Sequence, residues 1–219
     1  MTRPQKTRKI FATALLLAVP LSLAACSSGP PVPTNFPPLD YSYLPPITLK
    51  VASVQVRDEY LPGPGGAQLI TEAPEAPATA LARMARERLV ANGSPGAAVF
   101  VIKRASLNQV GDNLDGTMMV ELNMRASNGQ RVGYADATVT RSTTAPSNES
   151  PDRMRAALYD LTKEMMADMN VELQYQIQKS LPDWLAYGPG FGMAPASATP
   201  PLYQGNSGIQ AEPLPTPNQ

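Results

Sequence analysis

The sequence predicts an α+β domain built as a two-layer sandwich, with two helices on one face of a mostly antiparallel four-stranded sheet. Three observations lead to this fold class. Several segments alternate apolar and polar residues with the period of a strand, two others repeat apolar residues at helical spacing, and an Asn-Gly pair separates two of the alternating segments. In chain order they give βαβββα, ending in a long C-terminal helix, over about residues 47–185.

The first strand is predicted to carry an irregularity. Apolar residues alternate over residues 47–51, and the alternation resumes one residue out of phase at Val54. A bulge near Ala52 and Ser53 would produce that shift. The next segment, residues 61–77, contains four prolines and three glycines and is expected to be a loop.

An amphipathic helix and a buried strand follow. Between Pro77 and Gly93 the apolar residues fall at helical spacing, and the glycine supplies a stop signal. Residues 97–102 are a continuous apolar run, rich in β-branched side chains, and the strand is expected to continue to Leu107. Such a run predicts a central strand that is covered on both faces.

A hairpin completes the predicted sheet. Residues 118–124 alternate, residues 127–130 are Ser-Asn-Gly-Gln, and a second alternating segment covers residues 131–143. An Asn-Gly pair in this position is a strong signal for a tight hairpin turn. Upstream, residues 112–116 could offer oxygen atoms to calcium, but they lack the ligand spacing and the distal glutamate of a calcium loop. A solvated turn between strands is therefore expected there.

The second hairpin strand has two different faces. One face carries the small residues Ala135, Ala137 and Val139, over which a helix could pack closely. Tyr134 lies on the other face. The long helix that follows has a clear start, because Ser150 stands at the N-cap position with a proline and an aspartate directly after it.

The length of this final helix predicts a partner contact. A helix over residues 151–181 would span roughly 46 Å, whereas strands of five to ten residues cover only about 17–34 Å. The outer end should then meet something else. The residues expected at that contact are Leu173, Ile177, Leu181 and Trp184. In the alternative, residues 182–185 fold back and cap the protein's own core.

The first 25 residues are predicted to be a signal peptide. Four basic residues and no acid occupy positions 3–9, and an uncharged, mainly apolar stretch follows over residues 10–23. That stretch has about 14 residues, whereas a membrane-spanning helix needs roughly 20. A permanent transmembrane anchor is therefore not expected.

The apolar stretch ends in Leu23-Ala24-Ala25-Cys26, which resembles the lipobox of bacterial lipoproteins. The resemblance implies cleavage before Cys26, a diacylglyceryl thioether on its sulfur and an acyl group on its freed amine. Cys26 is the only cysteine, so no internal disulfide can form. Serine, and not aspartate, follows it, which in enteric-type bacteria favours the periplasmic face of the outer membrane over the inner membrane. The alternative is an ordinary secretory signal, with Cys26 as a spare thiol.

Two proline-rich segments flank the predicted domain. Residues 26–46 contain seven prolines and one charged residue and are expected to form a semi-extended tether. Residues 186–219 contain seven more prolines, five glycines and one acid, and are expected to be a disordered tail.

Composition limits the chemistry that this chain can perform. It has no histidine, and its one cysteine is expected to be acylated, so the usual general base, thiol nucleophile and soft metal ligands are missing. The sequence predicts no enzyme and no cofactor other than the covalent lipid. After cleavage 14 basic and 18 acidic residues remain, a net charge of −4, which gives no support for nucleic-acid binding.

The methionines of the last helix allow two interpretations. They could line an adaptable groove for a lipid or a partner, or they could fill the core. The core is favoured for Met154, Met165 and Met169, which lie on the apolar stripe of that helix. Met166 lies off the stripe and is the better groove candidate.

Over residues 47–181, the element order, the anchor and the long final helix resemble the auxiliary lipoproteins of ABC-type transport systems and the amino-terminal domain of TolB. The resemblance implies a non-catalytic, membrane-attached lipoprotein that docks onto an envelope transport or assembly complex. It supplies no site residue beyond Cys26. The alternative is a carrier that holds a lipid or small hydrophobic ligand in an apolar groove between helix and sheet.

Overall fold

The computed structural model describes residues 32–130, 132–147 and 150–186. Within these ranges the chain forms six strands, three helices and a short 3-10 helix. The strands are β1 (Ile47–Leu49), β2 (Ser53–Asp58), β3 (Leu89–Ala91), β4 (Ala97–Val110), β5 (Asn113–Arg125) and β6 (Val132–Thr144). The helices are α1 (Pro64–Glu72), α2 (Pro77–Arg88) and α3 (Pro151–Ser180), and the 3-10 helix covers Pro182–Trp184.

The main sheet has four strands in the order β2-β4-β5-β6. β2 runs parallel to β4, and the other two pairings are antiparallel. A second, two-stranded sheet pairs β1 with β3 in parallel. The predicted α+β fold class, with a mostly antiparallel four-stranded sheet and a long C-terminal helix, is therefore confirmed.

The predicted first strand is in fact two strands in two different sheets. Between them the Val51 amide donates to the Leu49 carbonyl, and the Ala52 amide donates to the Gly96 carbonyl. Val51 itself is fully buried. The change of phase seen in the sequence thus marks a step of the chain from one sheet to the other, and not a bulge within one strand.

The predicted loop at residues 61–77 contains helix α1. Pro64 occupies the first turn of α1, where a backbone N–H would have no hydrogen-bond partner within the helix, so the proline removes no helical hydrogen bond. Gly66 lies against β4, where an added Cβ would come within 3.1 Å of the Leu107 carbonyl oxygen. The prolines and glycines therefore begin this helix and let it approach the sheet closely, so the domain has three helices and not two.

β4 and β5 extend further than predicted. The turn between them lies at Gly111 and Asp112, and β5 begins at Asn113, so most of the predicted turn at residues 112–116 is strand. Leu114 is fully buried. The tight turn between β5 and β6 was predicted correctly.

One face of the main sheet packs against the helices. Phe100, Leu122 and Ala135 lie side by side on this face and are almost fully buried. Ala137 and Val139 continue the small face of β6, and α3 packs across it as predicted. The methionines favoured as core residues include Met165 and Met169, which are fully buried. Met166 is also fully buried, so its interpretation as a groove residue was wrong.

The segment before β1 packs on the helices from Phe36 onward. Its main chain receives hydrogen bonds from Tyr159 Oη at Pro37, from Arg83 at Leu39 and from Arg88 at Pro45. The side chains of Leu39 and Tyr41 are buried in the core. We call residues 36–45 the strap. The expectation of a tether that extends to residue 46 therefore needs correction, because the strap is part of the packed domain.

Arg88 joins the strap to α2 and α3. Its guanidinium is 3.0 Å from Asn170 Oδ1 and 2.7 Å from Gln174 Oε1, and it also donates to the Pro45 carbonyl. Burial lowers the pKa of Arg88 below its usual value. A buried guanidinium held by neutral oxygens needs all of these bonds, because each one replaces lost hydration.

Candidate docking surface

The face of the main sheet that turns away from the helices is the principal exposed feature of the described domain. We call it the open face. It carries the alternate residues of β2, β4, β5 and β6 whose neighbours form the core. Val99 is partly exposed, Tyr134 is 50% exposed and Val132 is 68% exposed. The strand β4 is central in the sheet, as predicted, but helices cover only one of its faces.

A shallow groove of about 700 Å³ runs over the open face. Apolar groups from β4 and β6 form its floor, and charged groups stand around them. Its floor includes Val99, Val101 and Tyr134, and its charged rim includes Arg57, Lys103, Glu121 and Arg125. An apolar centre within a polar rim is the usual anatomy of a protein–protein contact.

One ion pair lies on the rim of the groove. Lys103 Nζ lies 2.8 Å from a Glu59 carboxylate oxygen, and that hydrogen bond raises the pKa of Lys103. Partial burial, and then the carboxylates of Glu121 and Asp136, raise the pKa of Tyr134. At neutral pH the lysine therefore stays charged and the tyrosine stays protonated, and the tyrosine hydroxyl is already hydrogen-bonded to the Glu121 side chain.

The chemistry of this surface suits binding. Its ionisable groups are exposed, and none of the shifts just given moves a group toward titration near neutral pH, as a general acid or base requires. Within the part of the chain that the structure describes, no group of three His, Cys, Asp or Glu residues could hold a metal ion. A second open cavity of about 410 Å³ lies between the end of α1 and the start of α3.

The residues predicted to contact a partner at the end of α3 lie inside the described domain. Leu173, Ile177, Leu181 and Trp184 are all buried in the core. The 3-10 helix after α3 folds the chain back, and the Lys50 amide donates to the Trp184 carbonyl. Residues 182–185 therefore cap the core, as the alternative predicted, and these four residues offer no exposed contact.

The lipobox residues Leu23, Ala24, Ala25 and Cys26 lie outside the described residues, as does the predicted tail beyond Ala186. The N-cap position of Ser150 is confirmed, although its side chain makes no capping hydrogen bond. Sequence reasoning placed Tyr134 on the face away from the helices but did not single out the groove. The signal available was an apolar run in β4 together with a tyrosine on the outward face of β6; Asn123 of β5 lies between Val99 and Tyr134 in the sheet.

No family model and no curated protein sequence matches the chain. Solved structures do resemble it. A Xanthomonas campestris protein of the family DUF330 matches 62% of this chain and 86% of its own, with 13% identity and a TM-score of 0.31. A candidate lipoprotein of Caulobacter crescentus matches 57% of this chain and 88% of its own, with 18% identity and a TM-score of 0.28.

PelC of Paraburkholderia phytofirmans is a third similar structure. It matches 59% of this chain and 93% of its own, with 11% identity and a TM-score of 0.28.

In the described ranges, no helix combines the length and the apolar character needed to cross a bilayer.

Proposed function

We propose that this protein is a non-catalytic lipoprotein of the bacterial envelope, anchored by lipid on Cys26 and serving as a docking component of a transport or assembly complex. The observation that carries the proposal is the sequence Leu23-Ala24-Ala25-Cys26 at the end of a short apolar stretch that follows basic residues. The anchor faces the periplasm, and Ser27 after the cysteine favours the outer membrane.

The lipid makes attachment permanent on the time scale of the cell. One acyl chain gives only marginal binding, whereas several chains, at roughly 0.8 kcal/mol for each buried methylene, make release negligible. The folded domain then acts as a module confined to a surface. Confinement raises its effective concentration toward any partner in the same membrane.

The open face is the surface that we propose for the partner. The apolar centre of this surface consists of Val99, Val101 and Tyr134. The arginine, lysine and glutamate side chains of the rim set the orientation in which a partner binds. Tyrosine is among the residue types that most often dominate binding energy. We therefore expect truncation of Tyr134, which is 50% exposed, to weaken partner binding most.

The carrier alternative requires space between the helices and the sheet. Side chains fill that space, because Phe100, Met118, Leu122 and Met165 are all fully buried there. A hydrophobic ligand would have to displace a closed core. We therefore propose docking and not carriage.

Affinity purification from solubilised envelope, after crosslinking, tests the docking surface. Tyr134→Ala should reduce recovery of the partner at least about tenfold, the effect of losing a hot-spot side chain. Tyr175→Ala is the matched control, because Tyr175 is 53% exposed on α3 and lies outside the groove. Equal recovery with both variants, or selective loss with Tyr175→Ala, would show that the partner binds elsewhere.

A further inference from the structure

The chain enters the folded domain at one defined place. The Phe36 ring lies 5.2 Å from the Tyr159 ring, measured between centroids, and the Arg155 guanidinium lies 5.7 Å from the Phe36 centroid. Tyr159 Oη also donates to the Pro37 carbonyl at 2.8 Å. These contacts fix the start of the strap on the first turns of α3.

This entry point lies level with one end of the main sheet. Met165 of α3 packs over Gly116 of β5. Tyr159 precedes Met165 by six residues, which is about 9 Å toward the start of the helix. The β4–β5 turn lies at the same end, where the Ala145 amide donates to the Asp112 carbonyl just before α3 begins. We call this the proximal end.

The opposite end of the sheet is too far away for the anchor to reach. From Asn113 to Arg125, β5 spans twelve steps, or roughly 41 Å. Ten residues separate Cys26 from Phe36, and even as an extended polyproline-like chain they reach only about 31 Å. A lipid on Cys26 therefore lets the proximal end touch the bilayer, while the distal end, with the β5–β6 turn, stays beyond its reach.

The proximal end also presents an apolar side chain to its surroundings. Val110 is 65% exposed and lies next to the β4–β5 turn, and Arg153 and Arg155 are exposed on the first turns of α3. The same end also carries the exposed acids Asp112 and Asp152, so the feature that suits the headgroup region of a membrane is the exposed apolar side chain of Val110.

We propose that the proximal end rests on the bilayer surface, with Val110 in contact with lipid headgroups and the distal end directed away from the membrane. This inference rests on the proposed lipidation of Cys26. It places the groove of the open face, which extends to Val132, toward partners that approach from the periplasm.

Single added cysteines can test this orientation in the full-length lipidated protein, because the thioether at Cys26 cannot react with a thiol probe. The variants are Val110→Cys, Val132→Cys and Val171→Cys, each labelled with an environment-sensitive fluorophore. Val132 is the matched control, since it is the same residue type, is 68% exposed and lies at the distal end. A probe at position 171, where Val171 is 71% exposed, reports whether the α3 side of the domain lies against the membrane.

The labelled proteins are reconstituted in phosphatidylcholine vesicles that contain a headgroup spin-labelled lipid, and iodide serves as the aqueous quencher. Spin-labelled lipid should quench the probe at position 110 severalfold more than the probe at position 132, and iodide should show the reverse order. Quenching strongest at position 171 would mean that the domain lies on its side. Quenching strongest at position 132, or equal at all three positions, would also overturn the orientation.

Flotation of the vesicles and the mass of the N-terminal peptide separate this inference from the proposed function. A protein that floats and carries lipid on Cys26, yet shows no quenching at position 110, contradicts the orientation alone. A protein that lacks lipid on Cys26 contradicts both.

Discussion

Replacing Trp184 by alanine should lower the free energy of unfolding by about 3–5 kcal/mol, the usual cost of truncating a buried aromatic side chain. Trp184 is 5% exposed and closes the core together with Leu181 and Leu185. It packs so tightly on β6 that a Cβ added to Gly133 would lie 2.6 Å from its indole nitrogen. Urea denaturation, followed by circular dichroism, measures the loss.

The control for this prediction is Val171→Ala, which removes apolar atoms from an exposed site on α3. It should change the free energy of unfolding by less than about 0.5 kcal/mol, as is usual for surface positions. If Trp184→Ala were as stable as this control, the C-terminal cap would contribute little, and a partner-binding role for Trp184 would regain support.

Replacing Cys26 by serine should abolish membrane attachment. Serine cannot receive the thioether-linked diacylglycerol, so the domain should be found in the soluble periplasmic fraction or remain as uncleaved precursor. The unmodified protein should be found almost wholly with the membrane, because several acyl chains make release negligible. Detergent phase separation followed by immunoblotting measures the difference.

Ser27→Ala is the matched control for Cys26→Ser, since it changes the neighbouring residue and leaves the acylated sulfur in place. It should still enter the detergent phase. A processed Cys26→Ser protein that entered the detergent phase would contradict the lipid anchor and would mean that another part of the chain holds the membrane.

Local patterns predicted the elements whose signals are contained in a few neighbouring residues. The β5–β6 hairpin followed from an Asn-Gly pair between alternating segments, and α3 begins at Pro151 as its proline and aspartate indicated. Helix α1 was missed because prolines and glycines favour turns on average. The close approach of Gly66 to β4 and the burial of Leu69 in the core hold a helix of this composition in place.

The end of α3 shows why residues that were expected to be exposed are buried. The prediction compared a helix of roughly 46 Å with strands of five to ten residues, but β6 has 13 residues and therefore spans about 41 Å. The sheet is long enough to cover nearly the whole helix. Leu173 and Ile177 are consequently core residues, and the large hydrophobic residues that α3 leaves exposed are Val171 and Tyr175, on another side of the helix.

The strap illustrates a different limit of sequence reasoning. Its prolines correctly exclude regular pairing, but they do not prevent carbonyl groups from accepting hydrogen bonds. Arg83, Arg88 and Tyr159 supply those bonds from α2 and α3, and all three are more than forty positions away in the chain. Contacts over such distances leave no local pattern.

The mass of the mature N-terminal peptide tests the central claim most directly. The protein is purified from the membrane of the cells that produce it, digested and examined by mass spectrometry. We expect a first peptide that begins at Cys26 and carries a diacylglyceryl group on sulfur together with an acyl group on the α-amine. A first peptide that begins at Cys26 or Ser27 without lipid, or that retains residues 1–25, would contradict the account.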